Sequence, residues 1–204
     1  MPDITHTLPV LLLWAAFGYL LGSIPFGIVI TRLFGLGNLR EIGSGNIGTT
    51  NVLRTGSKAA AAATLILDGG KGAVAVLIAR GLAGDDAAQI AGLLAFVGHC
   101  YPVWLRFKGG KGVATFLGLL LALAWPVGIA CCLTWLATAL IARISSLSAL
   151  VAAASSAFWM LILGAGNLFL LGIATTLLIF WRHRDNIQRL RAGSEPKIGK
   201  AKSS

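Results

Sequence analysis

Acidic side chains are scarce in this sequence: seven Asp and Glu stand against seventeen Lys and Arg in 204 residues, for a formal charge of +10. Charge of either sign is itself rare, at 12% of residues, where soluble domains carry about 25%. Apolar residues make up 56% of the chain and mean hydropathy is +0.82, which excludes an ordinary water-soluble globule. No polar stretch is long enough for a second core, so residues 1–204 read as a single integral membrane domain with a basic tail over 194–204. The period-two alternation of a membrane barrel is missing, which leaves helices as the spanning element. Cys100, Cys131 and Cys132 lack CxxC spacing, so neither a disulfide framework nor a zinc site is indicated. No ligand spacing suggests a metal or an organic cofactor, and nucleic acid is not an expected partner. The first residues, MPDITHTLPV, hold no Lys or Arg ahead of the apolar run, and no small-residue cleavage site follows. That excludes a cleavable signal peptide and predicts an uncleaved first span.

Apolar segments recur at roughly 8–33, 59–79, 87–105, 113–127, 128–143, 147–164 and 166–181, and a helical span takes about 20 such residues. The pattern predicts an all-α, polytopic transmembrane helical bundle of seven spans. Five is the alternative, because the fourth and fifth segments are short and could form a hairpin broken at Pro126. Basic residues flanking spans stay in the cytoplasm. Arg32, Arg40, Arg54 and Lys58, then Arg106, Lys108 and Lys111, then Arg143, and finally Arg182, Arg184, Arg189, Arg191, Lys197, Lys200 and Lys202 share one side if seven spans start from a periplasmic N-terminus. Arg80, with Asp85 and Asp86 beside it, is left on the other. The C-terminus is then cytoplasmic and the expected location is a bacterial inner membrane. Many of the 26 glycines fall inside spans, as in GYLLGSIPFG, where they let helix backbones approach closely.

Polarity collects in four segments on the expected cytoplasmic side: 43–54 (GSGNIGTTNVLR), 67–74 (LDGGKGAV), 98–116 (GHCYPVWLRFKGGKGVATF) and 181–199 (WRHRDNIQRLRAGSEPKIG). Gly43-x-Gly45-x-x-Gly48 matches a dinucleotide fingerprint, but no strand precedes it and no βαβ unit contains it. Glycines that tolerate positive φ can still turn amides and the hydroxyls of Ser44, Thr49 and Thr50 toward an anion. Gly109-Gly110-Lys111-Gly112 is half of a P-loop, lacking the upstream glycine and the Ser or Thr after the lysine. ATP is therefore weakly supported, although a glycine turn that opens a helix and carries a lysine suits a phosphate. The GGKG string recurs at 69–72 after Asp68 and reads as a second copy of the same device. A charge at membrane depth costs about 2.5–3.5 kcal/mol, so Lys71 must face protein or water. Asp68, three residues earlier on the same helix face, is its expected partner, and a structural ion pair and direct substrate contact both remain open. His183, in Arg182-His183-Arg184-Asp185-Asn186 at the end of the last span, can accept a proton near neutral pH; His99 is a second candidate.

These segments together resemble the bacterial membrane acyl-phosphate:glycerol-3-phosphate acyltransferases, the PlsY proteins. The likeness runs through SIPFG (23–27), the 43–54 segment, D-x-x-KG at 68–72, GH followed by FKGGKGVAT (107–115), and H-x-x-NI-x-RL-x-x-G-x-E from His183 to Glu195. It implies a membrane enzyme without cofactor that moves a fatty acyl group from acyl phosphate to the 1-hydroxyl of glycerol 3-phosphate. The products are lysophosphatidic acid and phosphate, and the step is the first in phospholipid synthesis. The His-x4-Asp motif of other glycerolipid acyltransferases is absent, since Leu11, Trp104 and Gln188 stand five residues after the three histidines. The resemblance carries catalytic roles to Ser44, Arg54, Lys111, His183 and Asn186, and the role of a clamp to Glu195. Substrate and phosphate contacts are expected from Gly43, Gly45, Asn46, Thr50, Asn51, Asp68, Lys71, His99, Gly109, Gly110, Gly112, Thr115 and Glu195. Membrane lipid and a transient contact with the acyl-phosphate-producing enzyme complete the expected partners. A membrane anion transporter is the rival reading, but it would place broken helices and polar groups near the bilayer midplane in paired halves.

Overall fold

The computed structural model describes residues 3–199; Lys200 and Lys202 of the expected basic tail lie outside them. The described chain is helical, without a strand, and forms two compact units that meet in sequence between Leu123 and Ala124.

The first unit contains α1 (Leu8–Gly22), α2 (Phe26–Leu33), α3 (Thr49–Val52), α4 (Lys58–Cys100) and α5 (Val113–Leu123). α1 and α2 form one apolar stretch, Leu8–Leu33, interrupted where Pro25 removes a backbone donor and fixes its own φ. α4 is continuous by hydrogen bonding but breaks direction at Gly84, whose φ of 82° and ψ of −167° suit glycine alone. Its second half returns along the first: a Cβ on Gly92 would lie 2.8 Å from Val76 Cγ2. The expected segments 59–79 and 87–105 are thus two arms of one hairpin. The first arm runs on through Arg80, whose guanidinium donates to the carbonyls of Ala122 (2.7 Å) and Leu123 (3.0 Å) and pairs with Asp85 at 2.8 Å. A cation at the α5 C-terminus meets the negative end of the helix dipole.

Small residues hold this unit together. Gly18 and Gly22 of α1 lie against the backbone of Ala91 and Ala95, and Gly118 of α5 against that of Gly69, each too close to admit a Cβ. Alanines fill much of the interior while large aliphatic side chains face outward, the reverse of a soluble core and the arrangement lipid favours.

The second unit contains α6 (Trp125–Ala142), α7 (Ser145–Ile162), α8 (Phe169–Arg182) and α9 (Arg184–Arg191). Trp159 Nε1 donates to Thr134 Oγ1 (3.1 Å) between α7 and α6, and Thr176 Oγ1 to the Ala153 carbonyl (2.8 Å) between α8 and α7. Outside these contacts the faces are apolar; Ile141 is 86% exposed. The break that the five-span alternative allowed at Pro126 falls instead at Ala124, because a proline in the first turn starts a helix at no cost in hydrogen bonds.

Among the described residues, four stretches are long and apolar enough to cross a membrane: Leu8–Leu33, Lys58–Leu105, Trp125–Ala142 and Ser145–Ile162. Val113–Leu123 and Gly166–Arg182 are shorter apolar helices.

Candidate active site

The 43–54 segment is organised by one buried carboxamide. Asn51 Oδ1 accepts from the Ser44 amide (3.0 Å), the Ser44 hydroxyl (3.3 Å) and Arg54 Nη1 (3.2 Å), while its Nδ2 donates to the carbonyls of Leu39 (3.1 Å) and Ile42 (2.9 Å). Gly43 and Gly45, with φ of 56° and 67°, allow the chain to fold beneath it. A Cβ on Gly43 would lie 2.6 Å from both Arg54 Cδ and Asn51 Oδ1. The exposed Ser44 hydroxyl and the exposed Arg54 guanidinium are thereby anchored on a single oxygen. The amides of Ser44, Gly45 and Gly48 donate to Asn51 Oδ1, the Ile42 carbonyl and Asn46 Oδ1. The expected nest of open amides is therefore not what this loop offers at those positions; its anion-facing groups are side chains. Thr49 Oγ1 is buried without a hydrogen-bond partner among the described residues, and Thr50 is exposed.

Arg40, which sequence reasoning used only for orientation, spans two segments. Its guanidinium donates to the Gly45 carbonyl (3.1 Å) and to the Lys108 carbonyl. In the second of these segments the amides of Gly109 and Gly110 donate to the carbonyls of Cys100 (3.1 Å) and His99 (3.0 Å), closing the loop onto the end of α4. Gly112, at φ 81°, lies on the Phe96 ring and turns the chain into α5. Lys111 is half-buried just ahead of that helix N-terminus. A lysine there opposes the positive end of the helix dipole, so both features favour an anion rather than each other.

Behind this loop lies a buried charged cluster. Lys71 Nζ is 2.9 Å from Asp68 Oδ1, as the i, i+3 spacing predicts, and donates to the Ile24 carbonyl (2.8 Å) at the break between α1 and α2. His99 Nδ1 is 3.5 Å from the same Asp68 oxygen, and Thr115 Oγ1 donates to the Asp68 carbonyl (2.9 Å). The 69–72 string is thus helix interior, with Gly69 and Gly72 packed on α5, and lacks the free helix N-terminus that its 109–112 namesake precedes. The expected second copy of the phosphate device is not there. Lys71→Ala should cost about 3–5 kcal/mol, because it strands the Asp68 carboxylate in a dry interior. Thermal unfolding in detergent checks this, and replacing both partners by apolar residues should recover most of the loss.

In the second unit, His183 joins α8 to α9 and is buried. Its Nδ1 lies 2.8 Å from the Ile179 carbonyl. A carbonyl only accepts, so the neutral ring carries its hydrogen on Nδ1 and Nε2 is the basic nitrogen. One helical turn on, Asn186 Nδ2 donates to Glu195 Oε1 (2.5 Å); Ser146 Oγ donates to the same oxygen (2.7 Å) and Arg189 Nε to Oε2 (2.7 Å). Burial opposes the charge on Glu195, but the three donors outweigh it and hold the carboxyl below its ordinary value. A lowered folded-state pKa means that the clamp's contribution is complete above the ordinary value of 4.5 and is lost as pH falls through the folded one. Hydrogen exchange over 184–199, corrected for the intrinsic amide rate at each pH, should therefore lose its protection as the pH falls beneath that ordinary value. In Glu195→Gln it should be fast already at neutral pH.

A family model described as glycerol-3-phosphate acyltransferase matches residues 12–193, taking in every segment just described. The chain belongs to the glycerol-3-phosphate acyltransferase family. It is similar to curated glycerol-3-phosphate acyltransferases of Ruegeria sp. (strain TM1040), 74% identical with 98% of each chain covered, and of Ruegeria pomeroyi, 70% identical with the same coverage. Among solved structures it is similar to PlsY, an integral membrane glycerol 3-phosphate acyltransferase, in its glycerol 3-phosphate form. The TM-score is 0.87 at 41% identity, over 93% of this chain and 96% of that one. The lysophosphatidic acid form of PlsY gives 0.86 at 40% identity, over 93% and 95%. As a member of the glycerol-3-phosphate acyltransferase family the chain is an acyltransferase and an integral membrane protein, as the sequence resemblance implied.

Proposed function

We propose that this acyltransferase moves a fatty acyl group from acyl phosphate to the 1-hydroxyl of glycerol 3-phosphate, releasing lysophosphatidic acid and phosphate at the cytoplasmic face of a bacterial inner membrane. The observation that carries the reading is the convergence of the Ser44 hydroxyl and the Arg54 guanidinium on Asn51 Oδ1, at 3.3 and 3.2 Å. It is a rigidly supported hydroxyl and cation pair, suited to phosphate oxygens. Lys111, with the N-terminus of α5, supplies a second cationic position for a reaction that gathers two phosphate groups around one carbonyl. The PlsY structures were solved with glycerol 3-phosphate and with lysophosphatidic acid, which supports these two as acceptor and product here.

In the reaction the acceptor oxygen bonds to the acyl carbon and the carbon–oxygen bond to phosphate breaks. The leaving phosphate takes the electron pair, and the hydroxyl proton passes to His183 Nε2 or to a phosphate oxygen. Phosphate is already a good leaving group, so positioning and charge are what the protein must provide. Asn186, held by Glu195, is the side-chain candidate for the developing oxyanion. The buried set Asp68, Lys71 and His99 acts from behind the loop that carries Lys111. Counting α1 with α2 as one pass, the two arms of α4, and α5 to α8 gives seven passes, N-terminus periplasmic, in a single acyltransferase domain. The enzyme that makes acyl phosphate would be a transient partner.

Purified protein, labelled glycerol 3-phosphate and palmitoyl phosphate test the donor. A lipid-soluble labelled product formed with palmitoyl phosphate, and absent with palmitoyl thioesters alone, is expected. Transfer from a thioester without acyl phosphate would contradict the reading.

A further inference from the structure

Within the 98–116 segment, ahead of its glycines, the turn that ends the long apolar stretch Lys58–Leu105 carries a feature to which the proposed reaction gives no part. Arg106 and Phe107, neither of them glycine, both occupy the left-handed region, with φ of 50° and 61°. Such a conformation is uncommon for residues bearing a Cβ and persists only where the surroundings impose it. Here they do. The amides of Leu105 and Phe107 both donate to the Pro102 carbonyl (3.1 and 3.0 Å), and that of Lys108 to the Leu105 carbonyl (3.0 Å). Trp104 Nε1 donates to Ser23 Oγ (2.7 Å), and the Arg40 guanidinium reaches the Lys108 carbonyl.

The result is a cavity of about 320 Å³ lined by Arg40, Trp104, Leu105, Arg106 and Lys108: three cations and no carboxylate. A neighbouring cavity of about 570 Å³ shares Arg40 and Leu105 and adds Arg32. No carboxylate pairs with Arg106 or Lys108 among the described residues. Beside these cations Trp104 and Phe107 are 62% and 58% exposed. Exposed aromatic rings at the end of an apolar span mark the level of the headgroups, where one side is hydrocarbon and the other is wet. A soluble phosphate would use the cations and leave the rings in water; a phospholipid uses both.

We propose that this turn is a binding site for an anionic phospholipid of the bilayer, its phosphate held by Arg40, Arg106 and Lys108 and its chains lying along Trp104 and Phe107. None of the substrate groups Ser44, Arg54 and Lys111 lines this cavity, and the proposal holds whatever the acyl donor is.

Native mass spectrometry of the full chain in detergent, titrated with palmitoyl-oleoyl phosphatidylglycerol, reads the site directly, with the phosphatidylcholine of the same chains as reference. The protein should retain phosphatidylglycerol in preference. Arg106→Gln with Lys108→Gln should weaken that retention by about twenty-five-fold, roughly fivefold for each cation lost near an anionic surface. Both side chains are exposed, so the variant should unfold at the parent temperature and keep its acyl transfer rate in phosphatidylcholine vesicles. Arg106→Lys with Lys108→Arg should restore retention. Equal retention of the two lipids, an unchanged phosphatidylglycerol affinity in the folded Gln variant, or displacement of the lipid by saturating inorganic phosphate or glycerol 3-phosphate would each overturn the proposal. The last outcome would assign the cavity to the substrate site.

Discussion

Lys111→Ala should lower acyl transfer by about tenfold to a hundredfold, the range expected when a charge-assisted contact worth about 1.5–3 kcal/mol is lost. Stability should scarcely change. Lys111 precedes the N-terminus of α5, where a cation is unfavourable to the helix, so the helix itself does not depend on it. The two readouts separate the roles: a residue kept for packing would lose both activity and melting temperature, and one kept for phosphate loses activity alone. Steady-state kinetics in both substrates, with a thermal melt of the same preparation, decide between them. Near-parental turnover would remove Lys111 from the catalytic group.

Gly110→Ala should damage both properties. A Cβ on Gly110 would run into the His99 ring, lying 2.9 Å from Cε1 and 3.0 Å from Cδ2, and both residues are buried. The Gly110 amide is also bonded to the His99 carbonyl, so the backbone cannot back away without breaking the loop closure. Overpacking of this kind costs about 1–3 kcal/mol. Because the next residue is Lys111, displacement of the loop should reduce acyl transfer at least as much as Lys111→Ala does. His99→Ala in the Gly110→Ala background makes room for the new methyl group, so the two substitutions should be less damaging together than their sum, with a coupling of about 0.5–3 kcal/mol. Strict additivity in the melting experiment would show that the ring and the loop do not constrain one another.

These expectations show where the sequence was readable and where it was not. The apolar stretches and the Asp68–Lys71 pair were legible, because hydropathy and i, i+3 spacing are local properties. The GGKG string was not. The same four residues are helix interior at 69–72 and a loop at 109–112, and what separates them is tertiary: Gly69 is pressed against Gly118, while Gly109 and Gly110 close onto the last carbonyls of α4. The 43–54 loop was rightly singled out, but the route by which it meets an anion was misjudged. Loop glycines suggested open amides, yet Asn51, Asn46 and Ile42 take up several of them. Asn51 was expected at the site without any hint that it is the hub. Arg40 was missed altogether as a residue tying two segments together, since its acceptor on Lys108 lies 68 positions away. An arginine a few residues before a glycine-rich loop was the only local signal. The break at Gly84 was legible too, since it falls in the gap between the expected segments 59–79 and 87–105.

The proposed function requires that the 43–54, 98–116 and 181–199 segments all face the cytoplasm. Single cysteines at Ser44, Lys108 and Asp185, exposed positions of the three segments, introduced into a chain carrying C100A, C131A and C132A, test it with a membrane-impermeant maleimide. All three should stay unlabelled in intact cells and react once the inner membrane is permeabilised. Labelling of one or two of them from outside intact cells, with the remainder protected, would contradict the account.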